Sequence, residues 1–166
     1  MVVLTNPPLT SGERTLRRVA LAADLLGFAE FDVVNIFALP SHATGEIASL
    51  GATEAGWVEA QPSIEAAVGR AHGALLAYGT TAPTGDARSH FRKQVSWVEE
   101  TLARRSIPVW IVGDGPRHPS RWHRWTYRTF PQVPFTDALG DSFVQIAGTE
   151  TPRTPPGPSV AVGGSP

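Results

Sequence analysis

Short apolar runs alternate with amphipathic segments along most of this chain. Continuous apolar runs of this length are typical of buried strands, and the four predicted strands are 2–4, 31–37, 74–79 and 107–112. Apolar positions spaced by three and four are typical of helices with one buried face. The predicted helices cover 13–26, 62–70 and 91–105, the second one opened by a proline near its first position. The small, polar stretch 42–56 indicates a long loop or a short helix.

The alternation of strands with helices predicts the fold class. Strands that are apolar throughout are typical of a parallel sheet that is covered on both faces. We therefore predict a three-layer α/β/α arrangement around a central, mainly parallel, four-stranded sheet. Residues 1–146 form a single domain in this interpretation. Residues 147–166 contain five prolines and four glycines with hardly any charge, which predicts a disordered tail.

Length and composition narrow the class of protein further. The 166 residues suit one domain with a core of ordinary size, and the chain contains no cysteine. A disulfide framework, a cysteine-ligated zinc and an iron–sulfur cluster are therefore excluded. No apolar run approaches the roughly 20 residues of a membrane-spanning helix. The first residues contain no basic segment ahead of a long apolar one, so we expect a cytoplasmic protein rather than an exported one.

Charge is distributed unevenly along the chain. The formal net charge is -1. Residues 1–87 carry -5, residues 88–128 carry +6, and residues 129–166 carry -2. The near-neutral total therefore excludes only a uniformly basic surface and leaves open a local basic site.

Polar residues follow each predicted strand. Asn6 follows the first strand, Asn35 ends the second, Gly79 follows the third, and 117–120 follows the fourth. Any one of these is also ordinary loop chemistry, since Asn, Gly, Pro and Ser are common in turns. In open parallel sheets, however, ligands bind beyond the carboxyl ends of the strands. The pattern therefore predicts that two asparagines and His118 converge at one edge of the sheet.

The segment 117–128, RHPSRWHRWTYR, combines four arginines with three large aromatic residues and contains no acid. Cationic side chains pair with phosphates, and aromatic rings stack on bases. This pattern favours a nucleic-acid surface, to which arginines near the predicted first helix add positive charge. The alternative is an exposed arginine-rich helix whose tryptophans turn into the core. The candidate nucleic-acid-binding residues are Arg14, Arg17, Arg117, Arg121, Arg124 and Trp122.

Signals for other chemistries are weak. No His-x-x-x-His or His-Glu-x-x-His spacing indicates a metal site, and no Gly-x-Ser-x-Gly indicates a nucleophile elbow. Gly113-Asp114-Gly115 lacks the Gly-Lys-Ser/Thr of a phosphate loop. We therefore expect neither a metal nor a cofactor.

Four segments in order carry a resemblance to known families: VVLTNPP, DVVNIFALP, ALLAYGTTAP and VGDGPRHPSRW. Over residues 2–122 the chain resembles a family of small bacterial and phage proteins catalogued as domain of unknown function 1643. The same layout is similar to the uracil-DNA glycosylase superfamily. In that superfamily an Asn-Pro, Asp-Pro or Ala-Pro loop follows the first strand, an Asn ends the second, and a His-Pro-Ser loop follows the fourth.

The glycosylase resemblance implies a role for each matching residue. Asn6 positions or activates the attacking water, and His118 stabilises negative charge on the departing base. Asn35 hydrogen-bonds the base edge, Ser120 holds a backbone phosphate, and Phe37 stacks on the base. Thr5 stands where the Asn-type glycosylases have glycine.

Three functional hypotheses follow. The first is a glycosylase-like enzyme that acts on the N-glycosidic bond of a base, modified bases included, in nucleic acid or a nucleotide. The second is a nucleic-acid-binding module that keeps the fold without the chemistry. The third is an enzyme that acts on free nucleotides.

Overall fold

Strands and helices alternate in the computed structural model, which describes residues 1–41 and 44–148. The strands are β1 (Val2–Leu4), β2 (Val33–Asn35), β3 (Ala74–Leu76), β4 (Val109–Val112) and β5 (Phe143–Ala147). The helices are α1 (Glu13–Leu25), α2 (Ile47–Leu50), α3 (Ala55–Arg70), α4 (Ala87–Arg105), α5 (Pro119–Thr129) and α6 (Phe135–Gly140). A 3-10 turn at Thr44–Glu46 precedes α2. The α/β class predicted from the sequence is confirmed.

The sheet has five strands in the order β2-β1-β3-β4-β5. The first four are parallel, and β5 pairs antiparallel with β4. The prediction of four strands was therefore one short. Strand β5 lacks the continuous apolar signature because it lies at the edge, where Val144 is 44% and Ile146 50% exposed.

Helices pack on both faces of the sheet, because successive strand residues point in opposite directions. Val3 of β1 joins a core cluster with residues of α3 and α4. Its neighbour Leu4 joins a second cluster with Val19 of α1, Trp122 of α5 and Leu139 of α6. The carboxyl ends of β1 to β4 consequently emerge together, between the two helical layers.

Helix α3 begins at Ala55, seven residues before the start of the helix predicted over 62–70. Pro62 lies inside α3 rather than at its start. Proline removes one backbone hydrogen bond from a helix interior, a cost that packing can offset. Here the residues ahead of it, Trp57 and Ala60, are buried in the same core as Ile64. Burial of that face therefore extends the helix through the proline. Within 42–56 the short-helix alternative is confirmed by α2.

The predicted tail can be compared with the structure only at its start. Strand β5 continues to Ala147, one residue past the predicted end of the domain. Residues 149–166, on which the prediction of disorder falls, lie outside the described residues. Within residues 1–41 and 44–148, no helix combines the length and apolar character needed to cross a membrane.

Candidate functional site

A cleft of about 490 Å³ opens at the carboxyl ends of β1, β3 and β4. Its size lies in the range of small-ligand sites. Five residues predicted from the sequence line it: Gly79, Arg117, His118, Ser120 and Arg121. The other lining residues are Thr5, Gly45, Ala48, Tyr78, Thr80, Thr81, Ala82, Pro83 and Thr84. The structure therefore brings the third and fourth strand loops together, as predicted.

The start of α5 fixes the orientation and the tautomer of His118. His118 is the N-cap residue, and Pro119 occupies the first helical position. Its Nδ1 accepts a hydrogen bond of 3.2 Å from the backbone N–H of Ser120. Nδ1 also lies 2.9 Å from the Ser120 hydroxyl oxygen. Because Nδ1 accepts from a backbone amide, the proton of the neutral ring resides on Nε2.

The surroundings of His118 disfavour its protonated form. Burial, followed by the positive charges of Arg121 and Arg18, lowers the pKa of His118 below its ordinary value. Arg18 also donates a hydrogen bond of 2.8 Å from Nη1 to the carbonyl of Pro119. Arg18 thus ties α1 to the start of α5. The sequence pattern placed Arg18 with Arg14 and Arg17 in one group of positive charge but did not predict this contact, since contacts 101 positions apart leave no local signal.

Arg117 lies in the wall of the cleft. Its Nη2 pairs with Asp114, and its guanidinium lies 5.3 Å from the centroid of the Trp125 ring. The Nε atom is buried and has no hydrogen-bond partner among the described residues. The guanidinium is therefore held in place while one donor stays unsatisfied.

Backbone and side-chain hydrogen bonds connect the loops around the cleft. The N–H of Gly79 donates to the carbonyl of Pro116 at 2.6 Å, and Gly79 adopts a φ of 96°, which favours glycine. The Thr5 hydroxyl donates to the carbonyl of Tyr78 at 2.5 Å. The Tyr78 hydroxyl donates to Glu99, and burial together with that carboxylate raises the pKa of Tyr78. Tyr78 therefore stays protonated and acts as a support.

The two predicted asparagines lie beside the cleft rather than among its lining residues. Asn6 donates from Nδ2 to the Ser41 hydroxyl at 2.8 Å and to the carbonyl of Pro7 at 3.0 Å. Asn35 ends β2, in register with Leu4 of β1. Its Oδ1 is buried and has no hydrogen-bond partner among the described residues. The structure thus places both at the same sheet edge as His118 but does not converge all three on the cleft.

Two predicted ligand contacts are corrected by the structure. Phe37 is 0% exposed, and its ring lies 4.6 Å from that of Trp57, so it is not presented for stacking on a base. Trp122 is also 0% exposed and donates from Nε1 to the carbonyl of Arg117. Both rings belong to the core because burial of a large apolar surface outweighs exposure to a ligand. For Trp122 the alternative interpretation, a tryptophan turned inward from an arginine-rich helix, is confirmed.

The remaining predicted arginines are exposed. Arg14 and Arg17 lie on the outer face of α1, and Arg17 pairs with Glu13 at 3.2 Å. Arg124 is exposed on α5, as is Arg121 at the rim of the cleft. Exposed arginines are accessible to a polyanion. Of these four, Arg17 is the one that forms an ion pair among the described residues.

Among residues 1–41 and 44–148, no three His, Asp or Glu side chains cluster in a way that could bind a metal ion.

Comparisons of the chain with protein-family models, with curated proteins and with solved structures find no match. The resemblance to the glycosylase superfamily therefore rests on the ordered sequence motifs alone.

Proposed function

We propose that this protein is a glycosylase-like enzyme that hydrolyses the N-glycosidic bond of a base in nucleic acid or a nucleotide, modified bases included. In this proposal its layers and strand order correspond to those of the uracil-DNA glycosylase superfamily. The observation that carries the proposal is His118, a neutral imidazole with its proton on Nε2 at the edge of a cationic cleft.

The chemistry of the bond explains why such a histidine is useful. When the bond between C1′ and the base nitrogen breaks, its electron pair leaves with the base, and the sugar becomes an oxocarbenium ion. Water then adds to C1′ and releases a proton. A fixed N–H donor beside the departing base stabilises the negative charge that develops there. A lowered pKa keeps His118 neutral near pH 7, so its Nε2–H acts as a hydrogen-bond donor throughout.

The charge of the cleft favours a phosphorylated substrate. Arg117 and Arg121 are among the lining residues, together with the hydroxyl-bearing Ser120, whereas none of the described lining residues is a carboxylate. Arginine and serine side chains are common partners of phosphate oxygens. The guanidinium of Arg117 is already paired with Asp114, so the exposed Arg121 is the lining cation that is available to a phosphate.

In this proposal the asparagines would act from the β1–β2 side of the sheet edge, beside the cleft. With Nδ2 of Asn6 bonded to Ser41 and Pro7, its Oδ1 is the group that would orient the attacking water. The buried Oδ1 of Asn35 lacks a donor among the described residues, and an N–H on the edge of a base would supply one only after this oxygen became accessible from the cleft. Neither role requires a metal or a cofactor.

Base release from oligonucleotides with assorted modified bases tests the proposal, with abasic sites scored by strand scission. We expect His118→Ala to lower the rate by about 10²–10³-fold, the usual cost of removing one such donor. The matched control is His123→Ala, because His123 is exposed on the same helix and is not among the cleft residues. Equal product from wild type and from the Asn6→Ala, His118→Ala double variant would contradict the proposal.

A second candidate function, an enzyme on free nucleotides, is favoured by the volume of the cleft. About 490 Å³ suits a single nucleotide better than a longer strand. Assaying 5′-mononucleotides beside oligonucleotides that carry the same base distinguishes the two. Faster release from the mononucleotide would favour the second candidate, and faster release from the strand the first.

A further inference from the structure

The outer face of α5 is cationic along its whole length. Trp122 and Thr126 occupy the inner face of the helix and are buried. The exposed residues include Arg121, Arg124 and Arg128. These three are spaced by three and four positions, which places them in one stripe along the helix.

The stripe begins at the proposed site and leads away from it. Arg121 lines the cleft, whereas Arg124 and Arg128 do not. At a rise of about 1.5 Å per residue, the stripe extends about 10 Å from Arg121 to Arg128. That distance corresponds to about three stacked nucleotides at roughly 3.4 Å each.

No acidic side chain in the described part of the chain pairs with these three arginines. Among the described residues, ion pairs involve Arg17, Arg70 and Arg117, and none involves the three arginines of the stripe. The sequence contains no acidic residue between Asp114 and Asp137. An uncompensated row of guanidinium groups attracts an extended polyanion more strongly than a single small anion.

An exposed aromatic ring accompanies the stripe. Tyr127 is 66% exposed and lies three positions from Arg124 on the same side of the helix. Aromatic rings beside cationic side chains are the platform on which unpaired bases stack, whereas the bases of a duplex are not accessible for such stacking. The combination therefore favours a single strand over a duplex.

We infer that the outer face of α5 binds a single-stranded nucleic acid that leaves the cleft, with Arg124 and Arg128 on its phosphates and Tyr127 against a base. This surface would bind about three nucleotides in addition to the one in the cleft. The inference rests on the proposed function in that it takes a nucleotide to occupy the cleft. It selects a strand over a free nucleotide as the substrate.

Fluorescence anisotropy with labelled oligothymidylates of one to eight nucleotides tests the inference without turnover. We expect affinity to rise up to about four nucleotides and then to level off. Arg124→Glu with Arg128→Glu should make the slope of log K against log salt shallower by about 1.4, since each phosphate contact on a single strand contributes about 0.7. Tyr127→Ala should weaken binding at least about fivefold, and Tyr127→Phe should preserve it.

The matched control is Arg92→Glu with Lys93→Glu, which makes the same change of charge at two exposed positions of α4. It should leave the salt slope unchanged. An equal loss in the control, affinity that does not depend on length, or tighter binding of a duplex would each overturn the inference.

The two proposals fail in different ways. If no substrate loses its base but length dependence and variants behave as expected, the strand-binding surface stands and the reaction fails. If base is released while mononucleotides and strands bind equally well to every variant, the reaction stands and the surface fails.

Discussion

The two halves of the sheet edge are built differently. On the β3–β4 side, His118 and Arg117 line the open cleft, His118 bonded to the backbone N–H of Ser120 and Arg117 paired with Asp114. On the β1–β2 side, Asn6 is bonded to Ser41, Phe37 is packed into the core, and Asn35 has a buried oxygen without a partner. The first side leaves an open cleft, whereas the second is largely occupied by the protein's own contacts.

The difference shows what a strand end contributes to a site. Parallel strands deliver their carboxyl ends to a common edge, but the loops that follow decide which side chains remain accessible. Polar hydrogen bonds such as that from Arg18 to the Pro119 carbonyl position a loop without covering it. Apolar packing such as that of Phe37 on Trp57 removes a side chain from the surface altogether.

The largest effect is expected in the core of the β1–β2 half. Phe37→Ala should lower the free energy of unfolding by about 3–5 kcal/mol, because it removes a fully buried ring. Phe31→Ala, at a position that is 37% exposed, should cost less than about 1 kcal/mol. Urea denaturation measures both. If Phe37→Ala lowered the free energy of unfolding no more than Phe31→Ala does, the Phe37 ring would not be buried in the core, and it could again be considered for stacking on a base.

Substitution of Gly113 should destabilise the β3–β4 side of the sheet edge selectively. Gly113 has a φ of 70°, and an added Cβ would overlap the ring of Trp125. Gly113→Ala should therefore cost about 3 kcal/mol, from backbone strain together with a clash.

The control for that substitution is Gly85→Ala, where φ is 63° and no atom lies within 4 Å of the added Cβ. Strain alone should cost about 1 kcal/mol there. Thermal unfolding compares the two variants, and equal melting temperatures would show that the Trp125 ring does not restrict this turn.

The asparagines should respond in opposite directions. Asn35→Leu should raise stability by about 1 kcal/mol, because it removes a buried acceptor that lacks a partner. Asn6→Ala should lower stability by about 1 kcal/mol, because it removes hydrogen bonds to Ser41 and Pro7. Chemical denaturation gives both values. A clear loss of stability in Asn35→Leu would mean that its oxygen has a partner in solution and no need of a substrate.

The smallest effect concerns the protonation of His118. Arg18→Ala removes a positive charge that disfavours the imidazolium ion, so the pKa of His118 should rise towards its ordinary value. Arg17→Ala should leave it unchanged, because Arg17 is exposed and paired with Glu13. NMR titration of the imidazole follows both. If the pKa of His118 were unchanged in Arg18→Ala, Arg18 would have no electrostatic effect on the imidazole and would act only through its hydrogen bond to Pro119.

The same pKa predicts how stability depends on pH. The folded pKa of His118 lies below the unfolded value of about 6.5. The fold therefore favours the neutral ring, and this contribution is fully present above pH 6.5 and is lost as the pH falls through the folded pKa. His118→Gln should flatten that part of the stability profile, and a wild-type profile already flat there would contradict the lowered pKa.

Particular elements show how far the sequence can be interpreted. Strand β3 was predictable because three consecutive buried residues produce an unbroken apolar run. Strand β5 was not, because only Phe143 of its five residues is buried. The early start of α3 was hidden by Pro62, whose local preference is outweighed by the burial of Trp57 and Ile64.

The candidate site, like the fold, could be predicted only in part from the sequence. Gly79, His118 and Ser120 follow strand ends, and their positions in the cleft follow from parallel topology. The contact of Arg18 with Pro119 and the place of Thr5 in the cleft lining were not predicted, because both depend on distant segments. Trp122 was ambiguous, since positions on an amphipathic helix show periodicity without showing which face is inside.

The sequence alone therefore determined the α/β class, the parallel core and the loops in which polar residues meet, because these depend on local periodicity and on chain connectivity. Only the tertiary structure decided which side chains are accessible and which arginine of α1 approaches His118. Those properties depend on contacts between distant segments, such as α1 with the start of α5, where burial and hydrogen bonding compete for the same side chains.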